Sequence, residues 1–275
     1  MISFSGVWVK LAHVTPTMAG FYRVIFGAVL LSVATAWNRE FKWIGWKPIM
    51  LAVACGFFFA LDLLCWHTAI GLIGPGLATL LGNFEVFFLA AVGVIFMGEK
   101  QGLRFLFAII LAVVGLALIV GLQWDRLDHS YKTGIFLGFA TAVAYTGFLL
   151  TLRKLQSDQA GVSVFHVLML VSWTTAAYLG LKAYFSGDSF IIPDGQSWIV
   201  LLALGLLSQV IGWILITNSL PRIRTSLIGL ILLLQPSLSF VWDVIFFQRE
   251  TSLVSWLGVL MVLAAIYLGM ANKSA

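Results

Sequence analysis

The chain has 275 residues, of which 61% are hydrophobic and only 10% are charged. A soluble domain averages roughly 25% charged residues, so this chain has too few charges to cover a surface in water. Its mean hydropathy of +1.04 agrees, and we expect the apolar surface to face lipid. The net charge of +5 does not indicate nucleic-acid binding, because the basic residues lie in short loops between apolar runs and form no stripe.

Apolar runs of the length that crosses a bilayer, about 20 residues, recur along the chain. We predict full spans at residues 17–37, 49–70, 76–97, 103–122, 134–152, 164–184, 198–218, 226–247 and 253–270. Residues 2–12 form about half of another span, and we expect this first helix to be truncated in the sequence. The short polar connections predict antiparallel neighbours. The predicted fold is therefore an all-α integral membrane protein with about ten transmembrane helices.

Two parts of the chain resemble each other. From Gly76 and again from Ser226, an apolar span with a central polar break is followed by a turn with a glutamate, Glu99 or Glu250, and by a second span rich in small residues. Each half holds five spans if the short first one is included, and this odd number inverts the second half relative to the first. We predict two inverted five-helix repeats, at residues 1–122 and 131–271. Inverted repeats are typical of secondary transporters.

Lysine and arginine are divided unevenly between the two sides of this predicted bundle. The richer set of loops, with the C-terminal tail, carries Arg39, Lys42, Lys47, Lys100, Arg104, Arg153, Lys154, Arg222, Arg224 and Lys273. The poorer set carries Arg126, Lys132 and Arg249. Cytoplasmic loops hold the excess of basic residues. We therefore predict a multi-pass protein of the cytoplasmic (inner) membrane with both termini in the cytoplasm.

Few charged side chains fall inside the predicted spans, where each costs roughly 2.5–3.5 kcal/mol at the bilayer centre. Glu85 lies near the centre of its span, and Asp62 can reach the same depth from the preceding antiparallel span. Two neighbouring carboxylates in a medium of low dielectric constant do not both ionise, so one could carry a proton. Asp62 and Trp66 share a helix face, where an amino group could bind through charge and ring face. Alternatively, both acids have structural roles and bond His67, Arg23 or backbone amides.

Further polar residues extend this candidate site. Asn83 is two residues from Glu85 and so points well around the helix from it, and Gln209 and Trp213 form a polar–aromatic face in the second half. Gln235 precedes Pro236, whose missing N–H predicts a bend beside the substrate path. The predicted substrate-binding or ion-coupling residues are Asp62, Trp66, Asn83, Glu85, Gln209, Trp213 and Gln235.

The sequence carries no Walker-type loop, HExxH zinc pair or GxSxG elbow, so we predict no metal, no cofactor and no catalytic residues. Arg23 is interpreted as a topology or pairing residue near the outer interface, with substrate binding as the alternative. The predicted partners are a small-molecule substrate and the lipid bilayer, and the oligomeric state stays open. A secondary transporter is the favoured function. An intramembrane enzyme and a channel-like membrane subunit are the alternatives.

Three segments carry a resemblance to a known family. They are GVWVKLAHVTPTMAGFYRVIFGAVLL, IGPGLATLLGNFEVFFLAAVGVIFMGEK and SLIGLILLLQPSLSFVWDVIFFQRETSLVSWLGVLMVLAAIYL. In order, spacing and duplication the chain resembles the EamA family of the drug/metabolite transporter superfamily. The resemblance implies ten helices, a central cavity and alternating access for amino acids, other metabolites or drug-like toxic compounds. The family usually has proline where this chain has Glu85, whereas Pro236 is present, so a helix break is expected in the second half only.

Overall fold

The computed structural model describes residues 2–97, 103–120, 128–158, 162–219, 234–248 and 250–271. All regular secondary structure in these ranges is helical, which confirms the predicted all-α class for this part of the chain. A 3-10 turn at Ile2–Phe4 is followed by α1 Ser5–Leu11, α2 Pro16–Trp37, α3 Trp46–Ile73, α4 Pro75–Gly82, α5 Glu85–Met97, α6 Leu103–Val120, α7 His129–Asp158, α8 Val164–Ser186, α9 Gly195–Ala203, α10 Trp213–Ser219, α11 Leu234–Phe247 and α12 Leu253–Ala271. A π-helical segment, Leu204–Gly212, joins α9 to α10.

Several of these helices can cross a membrane by length and composition. Among the residues that the structure describes, the 5 such spans are Pro16–Trp37, Trp46–Ile73, His129–Gln156, Val164–Ser186 and Gly195–Ile216. Large apolar side chains cover their outer faces and those of the shorter helices, as at Trp37 and Leu103, which are both 86% exposed. Such a surface is stable in lipid and unfavourable in water. The protein is therefore a multi-pass membrane protein.

Apart from the predicted span 76–97, the predicted spans agree with the helices wherever both can be compared. Residues 17–37, 49–70, 134–152, 164–184 and 253–270 each lie within one helix, and 198–218 follow α9, the π-helical segment and α10. The first eight residues of the predicted span 226–247 lie outside the described residues, as do 121–122 at the end of span 103–122. The count of about ten spans therefore stays a prediction.

The predicted span 76–97 is not one continuous helix. α4 ends at Gly82 and α5 begins at Glu85. The backbone N–H of Asn83 bonds the carbonyl of Thr79 at 3.1 Å, and Asn83 Nδ2 donates to the same oxygen at 2.7 Å. Asparagine competes in this way with the helical bonding of the next turn. The expectation that Glu85 replaces a helix break was therefore wrong, because the break lies directly before it.

The helices of the two halves pack against each other in pairs. The most extensive contacts join α3 to α7, α6 to α12, α2 to α8, α3 to α8, α4 to α11 and α2 to the π-helical segment. Glycines allow the backbones to approach, since a β-carbon at Gly76 would lie 2.7 Å from the Cα of Phe240 in α11. Buried apolar side chains form two clusters, and Trp66 belongs to one while Phe59 and Trp213 belong to the other.

Candidate substrate cavity

A cavity of about 450 Å³ lies among α2, α3, α4, α5, α7, α10 and α11. Binding sites for small molecules usually measure roughly 300–1,000 Å³. Four aromatic side chains line it, namely Phe59, Trp66, Tyr145 and Trp213. They share the wall with charged and amide side chains from both halves of the chain. The cavity thus combines apolar surface with a few polar groups, which is typical of a site for an organic solute.

One face of α3 supplies a ring, a carboxylate and a second ring. Phe59, Asp62 and Trp66 follow one another at intervals of three and four residues, so they point in the same direction. Trp66 Nε1 donates to Thr79 Oγ1 of α4 at 3.3 Å, which fixes the indole against the cavity wall. Asp62 is 7% exposed, and no residue in the described part of the chain donates a hydrogen bond to its carboxylate. This acid is therefore available to a ligand.

Glu85 enters the same cavity from the first turn of α5. Its Oε2 atom is enclosed and has no hydrogen-bond partner among the residues that the structure describes. Glu85 and Asp62 are close enough to interact electrostatically, so the two acids occupy one site, as their depth in the sequence predicted. An ionised carboxylate with an unpaired oxygen is costly to bury. The arrangement favours a proton or a ligand at Glu85.

Arg23 also reaches the cavity, although the sequence suggested a position near the outer interface. It lies about two turns into α2 and is 5% exposed. Its Nε donates to Gln209 Oε1 at 3.2 Å. The guanidinium carbon lies 5.7 Å from the ring centre of Phe59 and 5.9 Å from that of Trp66. The buried guanidinium of Arg23 thus lies near two aromatic rings and is hydrogen-bonded to the amide of Gln209.

The structure brings six of the seven predicted site residues to this cavity wall, which are Asp62, Trp66, Asn83, Glu85, Trp213 and Gln235. Gln209 lies outside the wall, where its Nε2 donates to Ser172 Oγ at 3.1 Å. Trp213 packs edge-on against Phe148, with ring centres 5.2 Å apart. The roles of these residues in binding a solute stay predictions.

α7 contributes cavity residues that were not predicted from the sequence. Thr141, Tyr145, Leu149, Arg153 and Gln156 line the cavity along one side of this helix. Their spacing of three or four residues is the signal that could have found them. The cavity extends along them from the middle of α7 to its C-terminal end. This end carries Arg153 and Lys154, which belong to the loops that the excess of basic residues predicts to be cytoplasmic.

At the other end of the bundle, the connection between α1 and α2 is bonded to the connection between α8 and α9. His13 Nδ1 lies 2.8 Å from Asp194 Oδ2, and the backbone N–H of His13 donates to Ser197 Oγ at 3.0 Å. The backbone N–H of Ser197, 2.8 Å from Asp194 Oδ1, and the His13 ring lower the pKa of Asp194. Side chains and backbone of the adjoining helices and connections add the bonds from Tyr22 Oη to Phe190 O, from Gln196 Nε2 to Leu11 O and from Lys182 Nζ to Thr17 Oγ1. These contacts form the loop network.

Within the described ranges, no group of three or more histidine, cysteine, aspartate or glutamate side chains could hold a metal ion. The two cysteines, Cys55 and Cys65, are buried and free. The chemistry of the cavity is therefore that of two arginines, two acids, amides and aromatic rings.

Known proteins resemble this chain over nearly its whole length. The model of the EamA-like transporter family matches residues 1–121 and 132–270. The chain is 21% identical over 256 residues to the uncharacterized transporter YxxF of Bacillus subtilis, covering 92% of this chain and 80% of that protein. It is 23% identical over 229 residues to the pseudopaline exporter CntI of Pseudomonas aeruginosa, covering 82% and 77% respectively.

A solved crystal structure shares the fold. It matches with a TM-score of 0.67 and 18% identity, and the match covers 98% of this chain and 96% of the other. The family match extends across both halves of the chain, and the relatives are named as transporters. The chain therefore belongs to the EamA-like transporter family and is a membrane transporter, not an enzyme.

Proposed function

We propose that the protein is a secondary transporter that moves a small organic solute across the cytoplasmic membrane by alternating access. The observation that carries this proposal is a cavity with unpaired charged groups that extends towards one end of the bundle, while the loop network joins the connections at the other end. A site that can be reached from one side at a time is the requirement for alternating access.

The helix contacts support two inverted repeats at residues 1–122 and 131–271. Between the repeats, α2 corresponds to α8, α4 with α5 to α11, and α6 to α12. α2 packs against α8, α4 against α11 and α6 against α12. Two other contacts each occur twice, if α1 corresponds to α7 and α3 corresponds to α9 with the π-helical segment. The contact of α3 with α7 then has its equivalent in that of α9 with α1. The contact of α3 with α8 has its equivalent in that of the π-helical segment with α2. An approximate two-fold axis in the membrane plane produces this reciprocity.

The distribution of charge supports an orientation. The cavity extends towards Arg153 and Gln156, at the end of α7 that we assign to the cytoplasm from the excess of basic residues in its loops. Both termini then face the cytoplasm, and the loop network lies on the outer side. In this conformation the solute enters from the cytoplasm, which suits an exporter such as the relative CntI.

Cysteine labelling tests the alternation. In a chain carrying Cys55→Ala and Cys65→Ala, Gln156→Cys reports on the cavity, and Thr17→Cys reports on the loop network, of which Thr17 is a member. Under conditions that favour one conformation, a membrane-impermeant maleimide should label one site from its own side and leave the other protected. Simultaneous labelling of both sites from opposite sides would indicate a continuous channel and would overturn alternating access.

Flux measurements in proteoliposomes separate the transporter from the channel-like alternative. A transporter should exchange a labelled solute with a rate that saturates as the solute concentration rises, because each cycle carries a bound molecule. Protein-free liposomes give the background. A flux that stays linear with concentration would favour a channel.

A further inference from the structure

A second pocket lies where the beginning of α3 meets the end of α7, and its volume is about 720 Å³. The two helices run in opposite directions, since Cys55 of α3 contacts Phe148 of α7 while Ile73 packs beside Gly134. The first turns of α3 and the last turns of α7 therefore lie at the same end of the bundle. None of the described residues that line this pocket also lines the solute cavity. We call it the α3–α7 pocket.

Two lysines supply the charge of the α3–α7 pocket. Lys47 comes from the first turn of α3, and Lys154 comes from near the end of α7. Both residues are exposed, and no aspartate or glutamate in the described part of the chain lines the pocket. A negatively charged group placed between the two lysines is attracted by both of them. The pocket therefore favours an anion.

Towards the bilayer centre, the pocket continues as an apolar groove along α3. Met50, Leu51 and Ala54 follow Lys47 at intervals of three, four and seven residues, so all four side chains lie on one face of the helix. At 1.5 Å per residue, the groove extends roughly 10 Å along the helix axis from the lysine. Leu155, which is fully buried, lines it from the side of α7. The pocket thus has charge at one end and an apolar wall at the other.

Tryptophans place the lysines at the level of the lipid headgroups. Trp46 lines the pocket and is 73% exposed, and it packs edge-on against Trp43 with ring centres 5.5 Å apart. Exposed indoles of membrane proteins lie at the boundary between the hydrocarbon core and the headgroups. This end of α3 is the one that we assign to the cytoplasm from the excess of basic residues. The α3–α7 pocket therefore opens at the headgroup layer of the cytoplasmic leaflet.

We infer that the α3–α7 pocket binds one anionic phospholipid. Its phosphodiester lies between the ammonium groups of Lys47 and Lys154, and one acyl chain lies along the groove of Met50, Leu51 and Ala54. Basic pockets between transmembrane helices on the cytoplasmic side are suited to anionic lipid headgroups. A free phosphate ion would use the lysines and leave the groove empty. A zwitterionic lipid would bring an ammonium group towards two like charges.

A lipid at this position connects the two halves of the chain, because Lys47 belongs to the first half and Lys154 to the second. On α7 the neighbouring residue, Arg153, lines the solute cavity, so the lipid lies behind the wall of that cavity. The inference uses only the membrane location and the pocket. Loss of the lipid site would leave the transport proposal in place, and a failure of alternating access would leave the lipid site in place.

Lipid titration followed by native mass spectrometry tests the inference on the full chain in detergent. Phosphatidylglycerol is compared with phosphatidylethanolamine that carries the same acyl chains. One molecule of phosphatidylglycerol should bind more tightly, by roughly fivefold for each of the two lysines. Equal affinities for the two lipids would overturn the inference.

Glycerol phosphate separates a lipid from a free phosphate, because it supplies the charge without acyl chains. It should leave the bound phosphatidylglycerol in place when added at the same concentration. Displacement at that concentration would show that the pocket binds phosphate alone, and the assignment of a lipid would fail.

Charge variants locate the headgroup. Lys47→Gln and Lys154→Gln should each weaken phosphatidylglycerol binding roughly fivefold and leave phosphatidylethanolamine binding unchanged. Lys47→Arg keeps the charge and should keep the affinity, and elution from a sizing column checks the fold of each variant. Lys42→Gln is the matched control, at an exposed lysine of the same connection that does not line the pocket. Equal weakening in Lys42→Gln would indicate diffuse attraction to a basic surface and would overturn a defined site.

Ala54→Leu locates the acyl chain. The larger side chain occupies the groove, so it should weaken the binding of both lipids by a similar factor and preserve the ratio of their affinities. The lysine variants, in contrast, should lower that ratio. Unchanged binding of both lipids in a folded Ala54→Leu protein would refute the placement of the chain in the groove.

Discussion

Gly115 and Gly258 lie against each other in a reciprocal contact between α6 and α12. A β-carbon on Gly115 would lie 2.8 Å from the carbonyl oxygen of Gly258, and a β-carbon on Gly258 would lie 2.6 Å from the carbonyl oxygen of Gly115. In lipid, helices associate through close packing of this kind, because the hydrophobic effect does not favour one apolar neighbour over another. This contact joins the last helix of each half.

We predict that Gly115→Ala destabilises the protein by about 1–3 kcal/mol, because the added methyl group meets backbone that cannot move without separating the helices. The measurement is the thermal unfolding midpoint in detergent. Gly71→Ala is the matched control, since nothing lies within 4 Å of a β-carbon at that position in α3. Equal midpoints for the two variants would contradict the close packing of α6 on α12.

Glu85 is the predicted proton-carrying group. Its Oε2 atom is enclosed without a partner, and Asp62 lies nearby in the same cavity, so a change of protonation at Glu85 changes the charge that the solute meets. We expect Glu85→Gln to give transport that no longer depends on pH. The rate of solute exchange in proteoliposomes is measured across a pH series. Glu250→Gln, at an exposed residue before α12, should keep the wild-type profile.

A folded Glu85→Gln protein with the wild-type pH profile would remove the proton-carrying role. Such a result would leave the cavity and the transport proposal in place, because neither depends on the titration of this side chain.

Gln209 is expected to act as a positioning residue for Arg23. Gln209→Leu removes the acceptor from Arg23 Nε, so we predict about tenfold weaker binding of a carboxylate-bearing solute. Gly27→Ala should have the same effect by another route, because its β-carbon would collide with the side chain of Gln209. Dissociation constants for an amino acid and for the amine that lacks its carboxylate give the readout. Equal weakening of both ligands would indicate a general loss of structure and would contradict positioning.

The sequence predicted the common depth of the two acids well. Glu85 sits near mid-span, and antiparallel neighbours bring Asp62 to the same level, so span positions alone were sufficient. The shared face of Asp62 and Trp66 follows from helical periodicity, which tertiary packing did not alter. These features depend on local geometry and on the order of the spans.

Other features depend on contacts that are distant in sequence. Arg23 points into the cavity because Gln209, far along the chain, holds it there, and no local pattern records this partner. Gln209 itself was predicted from its spacing to Trp213, but it lies in a π-helical segment, where four-residue spacing no longer defines one face. The break at Asn83 was missed because the prediction relied on proline, whereas here a side-chain amide ends the helix.

The loop network should weaken in acid. The folded state lowers the pKa of Asp194, so this carboxylate stabilises the closed loops above the ordinary aspartate pKa of about 3.9, and the stabilisation is lost as the pH falls through the lowered value. Asp194→Asn keeps an oxygen that can accept the Ser197 N–H bond but removes the charge beside His13. We expect the variant to unfold at a lower temperature than the wild type near neutral pH, with a difference that shrinks below about pH 4. Melting curves across this range give the measurement, and a difference that grows in acid would show that the ionised form of Asp194 does not stabilise the network.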